Sequence, residues 1–256
     1  MIEVKGLTKT FRRKSGENLV AVDNLSFQVN KGEIVSLLGV NGAGKTTTMR
    51  MLSTVLRPTS GTATLEGCDI RTQPGEVRRR LGFLSGDTGL YPRLKAREVI
   101  TYFGRLYDVP DATIARRITE LAEFLDMGEF LDRKVDFLST GMKQKVSIAR
   151  SIIHDPPVMI FDEPTAGLDI LTAANIVGFI RKCREEGKCV VFSTHIMREA
   201  ERIADRIVVI HRGRLLAEGT LEALRDDTGM TDLDDIFIEF VNRMKDEGEK
   251  VVGDEY

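Results

Sequence analysis

Cysteine is scarce in this chain, and its placement excludes more than it suggests. Cys68, Cys183 and Cys189 make an odd number without a C-x-x-C pair, and the three histidines lie far apart. Neither a disulfide framework nor a zinc site is indicated, and a reducing cytosol fits this usage best. An excess of one charge is also missing: 37 basic against 39 acidic residues leave a net charge of −2, which argues against a general affinity for nucleic acid. Local runs such as Arg78-Arg79-Arg80 and Arg116-Arg117 read as solvated helix faces. No apolar run approaches the roughly 18 residues that cross a bilayer, and the opening MIEVKGLTKTFRRK lacks the apolar core of a signal peptide. Any link to a membrane is therefore expected to run through another protein.

What is present suits a globular protein: 42% of the 256 residues are apolar and 30% charged, enough for one large domain or a core with a smaller insertion. The most informative stretch runs from Gly39 to Thr46, GVNGAGKT, between the apolar Ile34-Val35-Ser36-Leu37-Leu38 and the segment Thr47 to Leu52. It reads strand, glycine turn, helix, which is the context that the phosphate-loop pattern G-x-x-x-x-G-K-[ST] requires. Gly39, Gly42 and Gly44 let successive backbone N–H groups turn toward an anion, and Val40, Asn41 and Ala43 complete the cradle. The following helix presents its positive end to the same anion. Lys45 is placed to reach the terminal phosphates, Thr46 to hold Mg²⁺ with its hydroxyl, and Thr47 to continue the hydroxyl series.

Elsewhere the pattern alternates between strand-like and helical. Ile2 to Leu7 and Leu25 to Val29 read as short strands, with a polar turn at Lys14 to Asn18. Phe11 falls between them in a basic segment, where its ring either stacks on a purine or packs against its own sheet. Strands are expected at Thr62 to Glu66 and Leu81 to Leu84, the latter followed by the turn-rich Ser85-Gly86-Asp87-Thr88-Gly89. From Ala96 to Leu138 the period becomes helical: Val99, Ile100, Phe103 and Leu106 form one face, and Ile114, Ile118, Leu121 and Leu125 another. A helical block between strand-rich segments reads as an insertion into an α/β core.

Val158-Met159-Ile160-Phe161 is a continuous apolar run, as in a strand covered on both faces, and it ends in Asp162-Glu163-Pro164. Ligands of parallel sheets sit at the carboxyl ends of strands, so both acids should face the crevice of the phosphate loop. Asp162 is then placed to hold the hydration shell of Mg²⁺, and Glu163 to orient or deprotonate an attacking water. Lys188 to His195 is a further strand, whose terminal histidine is assigned to a γ-phosphate contact. A hairpin through Arg212-Gly213 follows, then an amphipathic helix with Ile236, Phe237, Phe240 and Val241 on one side. Beyond Lys245 the polar composition calls for no structure.

Two further segments bear on the family. Leu138-Ser139-Thr140-Gly141-Met142-Lys143-Gln144 opens a helix, and Thr165-Ala166-Gly167-Leu168-Asp169 follows the acidic strand. Together with the phosphate loop, Asp162-Glu163 and His195, in this order, they resemble the nucleotide-binding subunit of ATP-binding-cassette transporters over nearly the whole chain. That resemblance implies an α/β P-loop NTPase (RecA-like) core with a mostly parallel sheet, an antiparallel β subdomain and an inserted helical subdomain. Residues 1–85 and 158–230 would form the ATP-binding core, 86–157 the helical insertion with the signature motif, and 231–256 a C-terminal helix and polar tail. Phe11 resembles the adenine-stacking aromatic, Gly39 to Thr47 the nucleotide cradle, and His195 the switch histidine. Ser139 and Gly141 match the signature that meets the γ-phosphate held by the opposite subunit, and Gly167 to Asp169 the loop that communicates across that dimer. The resemblance thus implies an ATPase using ATP and Mg²⁺. Its partners would be a second copy or a homologous cassette and a separate transmembrane permease, at the cytoplasmic face of the cell membrane.

Three positions depart from the family pattern. Val40 stands where proline is common, Thr140 replaces the first signature glycine, and Gly86 takes the place of a glutamine that contacts Mg²⁺ and relays to the membrane partner. Asp87, next in line, either assists the metal or serves as a surface turn residue. The Ser139-Thr140-Gly141 signature, Gly86 within Phe83 to Tyr91, and Leu233-Asp234-Asp235-Ile236-Phe237 are similar to the ATPase subunit of bacterial sodium-extruding exporters. Drug, polysaccharide and haem exporters share much of this pattern, and no spacing in the chain suggests sodium ligands. Soluble cassette proteins of repair or translation need long heptad arms or two cassettes, and a GTPase needs N-K-x-D; none of these is present.

Overall fold

The computed structural model describes residues 1–12, 16–85 and 89–253, with side chains through Lys245. Gly86 and Asp87 therefore lie outside the described residues, as does part of the turn expected at Lys14 to Asn18. In chain order the strands are β1 (Ile2–Arg12), β2 (Asn18–Val29), β3 (Ile34–Leu38), β4 (Ser60–Leu65), β5 (Cys68–Asp69), β6 (Leu81–Leu84), β7 (Val158–Asp162), β8 (Cys189–Thr194), β9 (Arg206–His211) and β10 (Arg214–Gly219). The helices are α1 (Lys45–Leu52), α2 (Pro74–Arg79), α3 (Ala96–Leu106), α4 (Asp111–Phe124), α5 (Thr140–Ile152), α6 (Ile170–Glu185), α7 (Met197–Ile203), α8 (Leu221–Thr228) and α9 (Leu233–Gly253).

The central sheet has the order β10-β9-β3-β8-β7-β6, parallel from β9 to β6, with β10 antiparallel at one edge. Every residue of β3, β7 and β8 is buried, which accounts for their largely apolar sequences: such strands are covered on both faces, and their polar residues are Ser36 and the strand ends Asp162, Ser193 and Thr194. Their side chains alternate between two cores. Ile34, Met159, Phe161, Val190 and Phe192 pack toward α3, α4, α5 and α6. Val35, Leu37, Val158, Ile160 and Val191 pack toward α1 and a second, antiparallel sheet of order β2-β1-β4-β5. A third cluster joins Leu38, Ile207 and Val209 to Ile236, Phe237 and Phe240 of α9. The architecture is thus α/β, with a mostly parallel sheet, an antiparallel β subdomain and helices α3 to α5 inserted between β6 and β7.

Several expectations need correction. β1 and β2 are longer than their apolar patterns indicate, and Phe11 belongs to β1, opposite Leu19, instead of lying between two short strands. Register shifts at Val4/Leu7, Leu7/Lys9 and Lys9/Thr10 break the alternation by which a strand is recognised. Leu106 leaves the core face of α3 and is 58% exposed, whereas Val99 and Ile100 are buried. The inward face closes at Gly104, where a Cβ would meet Ile114 Cδ1 at 2.7 Å; the bare backbone lets α4 approach. Arg117 is not a solvated side chain, since it donates to Ile152 O at 2.9 Å and pairs with Asp155 at 3.3 Å. The C-terminal helix does not stop near Lys245 but continues to Gly253.

All three cysteines are free and buried, and burial pushes the Cys183 and Cys189 thiols up to about 12, so neither is a nucleophile near neutrality. Among the described residues no helix is long and apolar enough to cross a membrane.

His154, just past α5, stacks on Tyr107 with ring centroids 3.7 Å apart and planes 2° from parallel. Desolvation pulls its pKa from the ordinary 6.5 to about 4, so the folded ring stays neutral where the unfolded one takes a proton. The unfolded state then binds more protons between those values, and stability falls as pH drops from about 6.5 toward 4. Thermal unfolding followed across that range should show a steeper loss in the native chain than in His154→Phe, which keeps the stack without the titration. Equal slopes would remove His154 from the account.

Candidate functional site

Strand register brings the site together. Leu38 pairs with Thr194, and Asp162 pairs with Ser193, so β3, β8 and β7 end level with one another. The residues that follow them, Gly39, His195 and Glu163, consequently emerge side by side at the carboxyl edge of the sheet.

The loop from Gly39 to Gly44 leads directly into α1. Gly44, at φ +104°, is the N-cap and supplies no side-chain bond, so the first-turn N–H groups of α1 have no side-chain cap and the positive end of the helix adjoins the loop. A Cβ at Gly44 would come within 2.6 Å of Ala21 O, so only glycine allows this seat against β2. Ala43 is buried, whereas Val40 is 42% exposed, which leaves room for any side chain at position 40. Asn41 and Gly42 are exposed at the loop's crest. The Lys45 ammonium, only 4% exposed, donates to Gly39 O at 2.8 Å and Val40 O at 3.2 Å and lies 3.4 Å from Glu163 Oε1. Thr46 Oγ1 donates to Asp162 Oδ1 at 3.2 Å. A buried cation, uncapped N–H groups and a hydroxyl beside a carboxylate fit a triphosphate with a hard divalent ion: Thr46 and Asp162 offer the oxygen ligands that Mg²⁺ favours.

The acidic pair is held just as firmly. Ser193, wholly buried, donates its hydroxyl to Asp162 Oδ1 at 2.7 Å and accepts the Glu163 N–H at 3.0 Å. Glu163 takes φ +48°, a region disfavoured for a residue with a Cβ, and turns its carboxylate toward His195 Nδ1 at 3.1 Å. Beneath this pair, Glu199 of α7 accepts hydrogen bonds from Thr165 and Thr194. The sequence reading missed Ser193 as a bridge and Glu199 altogether. Serine at the end of an otherwise apolar strand was the available signal for the first; nothing in the pattern marks the second.

Lys45, Thr46, Asp162, Glu163 and His195 thus converge, while Ser139, Gly141 and Asp169 form a separate group. Ser139 is exposed and caps α5, accepting from Met142 N at 3.3 Å. Asp169 caps α6, accepting from Leu171 N and Thr172 N, each at 3.0 Å, and these bonds hold its carboxyl below the usual range. Thr172 joins the two: it donates to Asp169 Oδ2 at 2.7 Å and sits against Gly141. Gln144 then links α5 to the catalytic edge by donating to Pro164 O at 2.9 Å. Phe11 is 38% exposed on β1, with the Lys9 ammonium 5.2 Å above its ring. Phe11 and Thr47 both border a cavity of about 630 Å³.

A family model described as ABC transporter matches residues 22–166. The chain belongs to the ABC transporter family. It is 42% identical over 239 residues to the ABC transporter ATP-binding protein NatA of Bacillus subtilis (strain 168), covering 93% of this chain and 97% of the relative. It is 41% identical to the Nod factor export ATP-binding protein I of Ralstonia nicotianae, over 86% of this chain and 67% of that one. A solved ATP-binding subunit of an ABC transporter superposes with a TM-score of 0.85 at 30% identity, covering 94% of this chain and 99% of that one. A dimeric ATP-binding cassette bound to ADP and Pi after hydrolysis gives a TM-score of 0.75 at 27% identity, over 86% and 98% of the two chains. This ABC subunit is accordingly an ATP-binding protein and an ATPase.

Replacing Lys45 removes a buried cation held against the loop by Gly39 O and Val40 O. A charge-assisted hydrogen bond contributes about 1.5–3 kcal/mol, so Lys45→Ala should weaken ATP binding by roughly 10- to 100-fold, as read by isothermal titration calorimetry. Undiminished affinity together with undiminished hydrolysis would reject the cradle.

Proposed function

We propose that two copies of this chain, or one copy and a homologous cassette, close on two ATP molecules and thereby drive a separate membrane permease. The observation that carries the reading is the junction of Lys45, Thr46, Asp162, Glu163 and His195 at three adjacent strand ends, with every link at or below 3.4 Å. In this reading Lys45 and the loop amides grip the phosphates, and Thr46 and Asp162 hold Mg²⁺, which neutralises charge that develops on the leaving phosphate. Glu163 takes a proton from the attacking water, and His195, whose Nδ1 meets the same Glu163 oxygen as Lys45, orients that carboxylate and contacts the γ-phosphate.

The dimer is supported by a surface that one chain leaves unused. Ser139 heads α5 with an exposed hydroxyl, a helix N-terminus suited to an anion brought by another chain. Close to it, across Thr172, Ile170 and Leu171 are 86% and 77% exposed, apolar side chains suited to burial against a twin. Loss of the γ-phosphate would remove the charge that joins the halves and let them separate.

Several relatives are named for Nod factor export, and another is the daunorubicin/doxorubicin resistance ATP-binding protein DrrA of Streptomyces peucetius, 37% identical over 89% of this chain. An exporter is therefore the favoured direction, and sodium the favoured cargo on the signature and Gly86 pattern. A permease would seat in the 630 Å³ cavity, whose lining includes the apolar Leu56, Leu81, Phe83 and Phe103 together with Ser85 and Gly89. The protein would then sit peripherally at the cytoplasmic face of the membrane.

One variant tests both halves of the proposal. Glu163→Gln should slow steady-state hydrolysis by about 10²- to 10⁴-fold while preserving ATP affinity, and should accumulate as a dimer with ATP in sedimentation. Native turnover would eliminate Glu163 as the base. A slow variant that stays monomeric at saturating ATP would eliminate the sandwich.

A further inference from the structure

Glu199 lies on α7, one turn beyond His195, and bonds two hydroxyls at the base of the site. Thr194 Oγ1 donates to its Oε2 at 2.7 Å, and Thr165 Oγ1 donates to its Oε1. The threonines are 2% and 7% exposed, so water is poorly placed to replace either bond. Thr194 Oγ1 also accepts the Ile196 N–H at 3.0 Å, which commits its proton to the carboxylate. The two anchor points are well chosen. Thr194 immediately precedes His195, and Thr165 lies two residues beyond Glu163, in the loop that runs on to Asp169.

We propose that Glu199 is a positioning residue for the ATPase reaction: its two carboxylate oxygens set the spacing between Glu163 and His195 by tying together the segments that bear them. An ionised carboxylate only accepts, so it can take both threonine protons at once; no neutral side chain of that size offers the same pair of acceptors. The tie matters because Glu163 stands at φ +48°, a conformation that persists only where its surroundings over-determine it. Ser193 fixes Glu163 from above through its N–H, and Glu199 fixes the following turn from below. Asp169 is rooted in that same turn, so a twin docking on Asp169 would shift Thr165 and, through Glu199, His195. The proposal rests on Glu163 acting as the base.

Steady-state hydrolysis and calorimetric ATP affinity of Glu199→Ala, Glu199→Gln and Glu163→Gln, alone and combined, make the test. An error of about 1 Å in catalytic geometry costs on the order of 100-fold in rate, so Glu199→Ala should lower kcat by about 10- to 100-fold and leave KM and Kd within about twofold. Glu199→Gln, which keeps one acceptor, should recover part of that loss. In the Glu163→Gln background the alanine change should cost less than about twofold, because there is no base left to misplace. An equal loss in both backgrounds, a raised KM at native kcat, or native turnover in Glu199→Ala would each overturn the proposal. If Glu199→Ala does not fold, Thr194→Val and Thr165→Val are near-isosteric, remove one bond each, and are held to the same outcomes. Native turnover in Glu163→Gln alone would fail the base and leave the effect of Glu199 to be read from its own single variants.

Discussion

An ammonium almost sealed from water must be surrounded by groups that replace its hydration, and that requirement governs this site. Lys45 meets it with two carbonyls of its own loop and with Glu163 from a strand more than a hundred residues later. Because Glu163 also faces His195, the cation, the acid and the imidazole form one line of contacts instead of three separate features. A triphosphate entering the loop competes with Glu163 for Lys45. On the proposed roles, nucleotide binding would release Glu163 from Lys45, so the charge balance that holds the nucleotide-free loop would also ready the proposed base.

What could be read in the sequence follows from how each element is buried. Strands covered on both faces are mostly apolar, so β3, β7 and β8 were visible as short apolar runs that lead into the candidate site residues, with Ser36 the one polar residue inside β3. The phosphate loop was visible because its geometry admits few residue types. The antiparallel strands β1 and β2 were less legible, since one side is wet and their bulges interrupt the period of two. Arg117 was misread because a long side chain can turn inward to a carbonyl and a carboxylate that are distant in sequence. Ser193 and Glu199 lie outside the reach of any periodicity: strand register brings Ser193 to Asp162, and Glu199 on α7 bonds Thr194 at the end of β8 and Thr165 in the loop after β7.

The two groups of functional side chains are nevertheless mechanically close. Gln144 reaches Pro164, Thr172 bridges Gly141 and Asp169, and Thr165 leads back to Glu199. Every one of these links passes through the six residues from Pro164 to Asp169. That short turn is where a contact made outside the chain reaches the reacting edge, and its polar bonds to α5, α6 and α7 make it stiff enough to transmit small shifts.

The order of strands in the parallel sheet also constrains how the protein is made. Both hydrogen-bonding neighbours of β3, namely β8 and β9, come from the last third of the chain. The Gly213 turn completes the enclosure, donating to Ala43 O at 2.9 Å and accepting from Asp23 N at 2.8 Å. During synthesis the nucleotide strand thus emerges from the ribosome long before anything can pair with it, an apolar ribbon with open edges on both sides. Its shelter until residue 213 has appeared must come from transient cover, from the β subdomain or from a chaperone, and premature termination anywhere upstream leaves that ribbon permanently bare.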